Sequence, residues 1–298
     1  MKYKQLGKSD LHVSEVSFGC MSLQGDENGS IKLLHQALDK GINFFDTADL
    51  YDKGQNETTV GKAFKEMRDK VILATKVGNQ WRPDGSGWDW NPRKAYILQA
   101  VEESLKRLQT DYIDLYQLHG GTMDDPIDET IEAFEQLKEQ GKIRQYGISS
   151  IRPNVIREYV RRSTIASVML QYSLLDRRPE EEVLELLQQN DIGVLARGSL
   201  AQGLLAGKPA KPYLTYTLEE VQQAAGAVNT VAGNTRNASE TAVQFVLHHP
   251  AVTSAVLGIR TDQQLEGALL AAQAAPLTEA EVQRLQAVLE AGKYEQHR

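Results

Sequence analysis

Four side chains able to give or hold a proton, Asp46, Tyr51, Lys76 and His119, stand at or just past the ends of short apolar runs. The runs are Asn43-Phe-Phe-Asp46, Val71-Ile-Leu-Ala-Thr-Lys76 and Ile113-Asp-Leu-Tyr-Gln-Leu-His119. Each is too short for a helix and passes straight into polar loop, the pattern of a fully buried parallel strand. If these strands are neighbours in one sheet, their carboxyl ends bring a carboxylate, a phenol, an ammonium and an imidazole to one edge. Such a set suits proton transfer to a carbonyl oxygen. A phenol alone is a weak acid, with a reference pKa of about 10. An ammonium beside it favours the phenolate, a carboxylate keeps that ammonium charged and oriented, and an imidazole N–H orients the oxygen that takes the proton. Taken singly, three of them have a plainer reading: Asp46 as a turn former or helix cap, Lys76 as a solvated chain, His119 as a structural histidine before Gly120-Gly121. Their joint placement carries the catalytic reading.

The elements that must position them alternate along the chain. After a hairpin from Tyr3 to Val13, the strands expected are Val16–Gly19, a second ending at Asp46, a third ending at Lys76, a fourth ending at His119, then Ile143–Ser149, Ser167–Gln171, Gly193–Ala196 and Ser254–Gly258. Helical periodicity fills the gaps: Ile31, Leu34 and Leu38 on one face stopped at Gly41, a helix over 56–65, and Ile97, Val101, Leu105 and Leu108 on a helix opened by Asn91-Pro92. Asp125-Pro126 opens the next, followed by helices over 153–161 and 179–189, two stretches after an insertion with Pro209 and Pro212, and helices over 262–274 and 278–290. Glu180, Glu181 and Glu182 read as acidic residues in a first helical turn, favoured by the helix dipole. Eight strands each followed by helix, with no compositional break, favour a (β/α)8 TIM barrel forming one domain over 1–298, in which active groups sit at strand carboxyl ends. The GxGxxG fingerprint of an open dinucleotide-binding sheet is absent after the first strand.

Composition narrows the function classes. The chain has 298 residues, 41% apolar content and a net charge of −7, which argues against a general nucleic-acid binder while allowing a local basic pocket. No run reaches membrane-spanning length and the amino terminus lacks a signal-like apolar stretch, so a cytoplasmic protein is expected. Cys20 is the one cysteine, excluding an intrachain disulfide and reading as a small buried apolar residue. His248-His249 has no partner at helical ligand spacing, and no metal site is expected. All three tryptophans, Trp81, Trp88 and Trp90, fall in the loop after the third strand; the reading is a partly apolar substrate lid with Trp81 nearest the site, against a loop folded on its own indoles.

With this order in view the chain resembles the aldo-keto reductase superfamily over nearly its whole length. The matching segments are Gly41 to Tyr51, Leu73-Ala-Thr-Lys76, Asp111 to His119, Gly141 to Ser149 and Gln202-Gly-Leu-Leu205. The resemblance implies reduction of small aldehydes or ketones by NADPH, with Tyr51 as general acid, Lys76 and Asp46 as its tuners, and His119 orienting the carbonyl. It also implies that Ser149, Ser150 and Gln171 meet the nicotinamide carboxamide. Ser199, Leu200, Gln202, Leu204 and Lys208 match the loop around the pyrophosphate, and Gly258, Arg260 and Gln264 the site of the adenosine 2′-phosphate. Met21 is a further pocket residue against cofactor and substrate, and Trp81 and His119 face the substrate. A guanidinium meets a phosphate through charge-assisted hydrogen bonds of about 1.5 to 3 kcal/mol each. NADP(H) is therefore preferred to NAD(H).

Two positions depart from the pattern. Arg197 stands where related sequences often carry a tyrosine stacked on the nicotinamide; a guanidinium can stack too, but adds a positive charge beside a ring that is cationic when oxidised. Ala268 stands where many members have an asparagine that contacts adenine, a contact alanine cannot make. The short tail from Ala291 to Arg298 suggests an open pocket of broad acceptance, with a small carbonyl compound as the only partner and no obligatory protein partner. Two rivals use the same barrel: a cofactor-sensing regulatory subunit resembling the potassium channel β subunits, and a lysine-dependent aldolase or isomerase with Lys76 forming a Schiff base.

Overall fold

The structure is a computed structural model describing residues 1–23 and 26–298. Strands β1 (Tyr3–Gln5) and β2 (His12–Ser14) form an antiparallel hairpin, Tyr3 facing Ser14. Then come β3 (Val16–Gly19), α1 (Glu27–Asp39), β4 (Phe44–Asp46), α2 (Gln55–Phe64), β5 (Ile72–Val77), β6 (Asn79–Trp81), β7 (Trp88–Trp90), α3 (Lys94–Leu108), β8 (Ile113–Leu118), α4 (Ile127–Glu139), β9 (Ile143–Ser149), α5 (Pro153–Arg162) and β10 (Ser167–Gln171). The series ends with α6 (Val183–Gln189), β11 (Gly193–Arg197), α7 (Leu218–Ala232), α8 (Ala238–His248), β12 (Val252–Gly258), α9 (Asp262–Gln273) and α10 (Glu279–Gln286). Strands β3, β4, β5, β8, β9, β10, β11 and β12 pair in parallel, in that order, and β12 closes on β3. This is the (β/α)8 barrel with its amino-terminal hairpin.

Two apolar layers hold it. Between strands and helices lies the larger core, in which Phe45 packs against Phe64 at 4.5 Å between ring centroids and against Phe18 at 5.8 Å. Inside the barrel Phe44, Ala74, Leu115, Met169, Leu195 and Val256 pack together, and Leu6, Leu11 and Val13 from the hairpin segment join them. Side chains alternate across a strand, so residues two further on point to the same side. Asp46, Lys76, Gln117, Gln171 and Arg197 thus form a polar layer directly above the apolar one, at the carboxyl end of the barrel.

The last helix ends at Gln286, short of the expected 290, and three further local expectations change. Helix α3 begins at Lys94, because Asn91 is paired to Gly78 in the turn that follows β7 and its Oδ1 accepts from the Arg93 amide ahead of the helix. Glu180 and Glu181 belong to a single 3-10 turn before α6, and Glu182 is the residue that precedes the α-helix. Glu180 is held by the Arg177 guanidinium at 2.8 Å and the Tyr172 hydroxyl at 2.8 Å, so ion pairing and not the helix dipole accounts for it. The tryptophan segment is an antiparallel ribbon of β6 and β7 with Trp81 facing Trp88.

Helix α2 reaches α3 through Gly61, where an added Cβ would lie 2.3 Å from the Arg107 carbonyl oxygen. The close approach serves the pair of buried Glu57 with partly buried Arg107, 2.7 Å apart. Gly61→Ala therefore costs about 1 to 3 kcal/mol through overpacking, despite the higher helix propensity of alanine. Urea unfolding checks it, and equal or greater stability of the variant would refute the packing account.

Candidate active site

Strands β4 and β5 are neighbours in register, Asp46 beside Ala74, and Lys76 follows Ala74 by two residues on the same side of β5. The Lys76 ammonium donates to Asp46 Oδ2 at 2.6 Å, to the Thr47 carbonyl at 2.7 Å and to the Tyr51 hydroxyl at 3.4 Å. Lys76 is 1% exposed and Asp46 4%, so the pair is almost fully dehydrated. Gln117, beside Lys76 across β8, donates to Asp46 Oδ1 at 3.2 Å and completes the carboxylate's surroundings. Burial works against the lysine's charge, but the Asp46 carboxylate and the Tyr51 phenol outweigh it and hold the amine above its ordinary range. Burial also pushes the Asp46 carboxyl up, with Lys76 and Gln117 offsetting part of the effect. Removing one member of such a pair strands the other at a cost of about 3 to 5 kcal/mol.

Tyr51 reaches this pair because the chain turns sharply behind it. Asp52 and Lys53, neither of them glycine, both take left-handed backbone, φ 49° and 52°, before α2 begins. Each such residue costs roughly 1 to 2 kcal/mol. That strain sits one residue from the phenol and is fixed by α2 and by Asn56, which accepts from the Thr47 hydroxyl at 2.6 Å and donates to the Cys20 carbonyl at 2.9 Å. Cys20 itself is fully buried.

His119 follows β8, its amide donating to the Val77 carbonyl at 2.8 Å. Its ring meets that of Tyr51 edge to face, with centroids 5.8 Å apart and an interplanar angle of 84°. Burial first, then the charges of Lys76 and Arg197, push its pKa down to about 3. The imidazole is therefore neutral near pH 7, keeping one N–H donor and one bare nitrogen. Its Nδ1 is buried and without a hydrogen-bond partner, as are Gln117 Oε1, Ser199 Oγ and Trp81 Nε1. Unpaired buried polar atoms around one mouth mark a place where a polar ligand completes the bonding.

The other expected residues divide into groups. Gln171 and Arg197 are partners across β10 and β11, and Arg197 donates to Gln171 Oε1 at 3.0 Å. Ser149 ends β9, and Ser150 Oγ accepts from the Arg152 amide at 3.2 Å. Beyond β11, Ser199 is buried, Leu200 is partly buried against the core, and Gln202 takes left-handed backbone at φ 61°, its carbonyl accepting from Lys208 Nζ at 2.9 Å. The Leu204 side chain lies in the core, leaving only its main chain to meet a ligand. Gly258 ends β12 opposite Ser22, whose Oγ would lie 2.4 Å from an added Cβ. Arg260 and Gln264 are exposed at the start of α9, the Arg260 amide donating to Gln264 Oε1 at 3.0 Å and Thr261 capping the helix. Met21, 66% exposed, lies on the rim after β3.

The ribbon of β6 and β7 also divides. The Trp90 ring lies against Gly78 and Gly120, and its Nε1 donates to Asp125 at 2.8 Å, which gives this indole a structural part. Trp88 is about half exposed, and Trp81 lies under the Lys53 ammonium, 5.3 Å from the ring centroid. Gln117, Thr47 and Tyr213, whose hydroxyl accepts from Gln171 Nε2 at 3.0 Å, were not singled out in the sequence reading. Gln117 was accessible to it, since it shares the alternation that joins Leu115 to His119. Among the described residues no group of three His, Cys, Asp or Glu side chains converges as a metal site, and no helix is long and apolar enough to cross a membrane.

Comparisons with known proteins bear on the family and the fold. The model of the aldo/keto reductase family matches residues 15–290. The oxidoreductase YqkF of Bacillus subtilis is 51% identical and the match covers 100% of both chains. The holo form of aldo-keto reductase AKR11C1 from Bacillus halodurans superposes with a TM-score of 0.95 at 52% identity, covering 100% of this chain and 99% of that one. An Escherichia coli protein named NADH-specific methylglyoxal reductase is 34% identical over 234 residues, 72% of each chain.

The neutral imidazole is directly measurable. Because its folded pKa of about 3 lies below the unfolded value near 6.5, His119 adds stability that is full above pH 6.5 and is lost as pH falls toward 3. NMR of the imidazole should show no protonation step between pH 5 and 8; a midpoint near 6.5 would contradict the burial argument.

Proposed function

The chain belongs to the aldo/keto reductase family, and on that premise we propose that it reduces small aldehydes and ketones with NADPH, Tyr51 acting as the general acid. The observation that carries this reading is the Tyr51 hydroxyl 3.4 Å from a lysine ammonium that is itself locked to a buried carboxylate. When bound, NADPH supplies the hydride. The chain's own residues manage the proton and the oxygen. As the carbonyl oxygen gathers charge, Tyr51 gives it a proton, and the Lys76 ammonium stabilises the negative charge left on the phenol oxygen. Neutral His119 donates its N–H to the same oxygen and orients it. Asp46 holds Lys76 charged, and Gln117 and Thr47 hold Asp46 and Lys76 in place.

The residues present suit the cofactor. Ser199 Oγ, buried and without a partner, offers a hydrogen bond beside the loop that carries Gln202 and Lys208, and Gln171 with Ser149 and Ser150 lines the ends of two adjacent strands. Arg260 stands at the start of a twelve-residue helix whose dipole also favours an anion. This supports a phosphate on the ribose and hence NADPH. The name of the Escherichia coli relative favours the other cofactor, and the two readings are separable by mutation.

The lysine geometry disfavours Schiff-base chemistry. Such a lysine must be a free, neutral amine, whereas Lys76 is a buried ammonium donating to three oxygens.

Tyr51→Phe should bind cofactor with unchanged affinity and lose about two to four decades of kcat, as expected for a general acid. Absorbance of reduced nicotinamide, followed over a panel of aldehydes and ketones, checks it, and near wild-type turnover would sink the assignment. Arg260→Ala should lower the ratio of kcat/KM with NADPH to that with NADH by about tenfold or more, the value of one charge-assisted hydrogen bond. An unmoved ratio would remove the phosphate role and leave NADH as the better reading.

A further inference from the structure

Arg197 carries a charge that the reaction scheme above does not use. It ends β11, two residues beyond Leu195 of the inner core, so its side chain rises from the barrel interior into the mouth. Its hydrogen bond runs to a neutral amide, Gln171 Oε1 at 3.0 Å, and among the described residues it makes no ion pair with a carboxylate. The nearest carboxylate of the polar layer, Asp46, is committed to Lys76 and Gln117. The guanidinium charge is felt across the mouth, where it adds to burial and Lys76 in keeping His119 neutral.

We propose that Arg197 makes the protein discriminate between the two redox forms of its nicotinamide cofactor, holding the reduced form more tightly than the oxidised one. The inference rests on the reading that the carboxamide meets Ser149, Ser150 and Gln171. A carboxamide held by Gln171 would bring its ring beside the guanidinium that is bonded to that residue. Hydride transfer moves two electrons and one hydrogen nucleus from the neutral ring to the carbonyl carbon, while the carbonyl oxygen takes the Tyr51 proton. The ring is left with a positive charge. Arg197 is itself exposed, and two neighbouring cations in a partly solvated cleft repel with an energy worth about one decade in an equilibrium constant.

The consequence is directional. The repulsion works against charge formation on the ring during hydride transfer, and it equally speeds departure of the oxidised cofactor and weakens inhibition by it. An aromatic residue at this position would bias the equilibrium the other way, since a ring face attracts a cation. Arg197 thus suits a reductase that must reload with the reduced form in the presence of the oxidised one.

The test compares wild type with Arg197→Met, which keeps the length and removes the charge, and with Arg197→Lys, which keeps the charge. Dissociation constants for NADPH and NADP+ are measured separately by quenching of indole fluorescence, with circular dichroism confirming the fold and Arg197→Gln replacing the methionine variant if that one does not fold. The ratio Kd(NADP+)/Kd(NADPH) should fall about tenfold in Arg197→Met, equivalent to about 1.4 kcal/mol or about 30 mV in the potential of the bound couple. In Arg197→Lys it should stay within about twofold of wild type. A ratio unmoved by loss of the charge, or equal changes in both affinities, overturns the inference while leaving carbonyl reduction intact. Wild type that binds neither form overturns the functional reading and this inference together.

Discussion

A buried ion pair organises this molecule. Asp46 and Lys76 are withdrawn from water inside the mouth of the barrel, where dehydration costs several kcal/mol for each ion. The cost is offset only if nearly every polar atom finds a partner, and most do: the ammonium has a carboxylate, a main-chain carbonyl and a phenol, and the carboxylate has an amide from Gln117. Because the pair tolerates little displacement, it sets the position of Tyr51, and the strained turn at Asp52 and Lys53 persists because α2 and Asn56 brace it. A site this rigid presents one hydroxyl in one direction.

The pair exists because the barrel closes. Alternation along parallel strands stacks an apolar layer, Phe44, Ala74, Leu115, Met169 and Leu195, under a polar one, Asp46, Lys76, Gln117, Gln171 and Arg197. The lower layer and the amino-terminal hairpin seal the barrel from below. The upper layer is left facing a cleft where charges are only partly screened. The same two-residue period therefore supplies both the packing that stabilises the fold and the dipoles and charges available for chemistry.

Charge is distributed unevenly around that cleft. The chain is acidic overall, with a net charge of −7, yet the segments at and beyond the carboxyl ends of β4, β11 and β12 carry Lys53, Arg197, Lys208 and Arg260. A local positive field in an acidic protein attracts a polyanionic ligand to one place while the remaining surface stays repulsive to anions. Lys53 over Trp81 adds to this border, fixed by the attraction between a cation and an indole face.

What the amino-acid sequence determined alone was the order and phase of the elements. Short apolar runs ending in Asp46, Lys76 and His119 are legible because buried parallel strands demand them, and the eight strands fall where the runs predict, within one or two residues. Family resemblance through the segments from Gly41 to Tyr51 and Asp111 to His119 was equally legible, since residue identity at fixed spacing needs no coordinates. Tertiary structure decided what spacing cannot carry: that Gln117 on β8 braces Asp46 on β4 across the intervening strand β5, that Trp90 is pinned by Asp125 while Trp81 sits under Lys53, and that Glu180 answers Arg177 and Tyr172. Those contacts join residues distant along the chain, and their geometry depends on how strands tilt and helices pack once the barrel has closed. Local sequence encodes direction and burial; only closure turns them into distances.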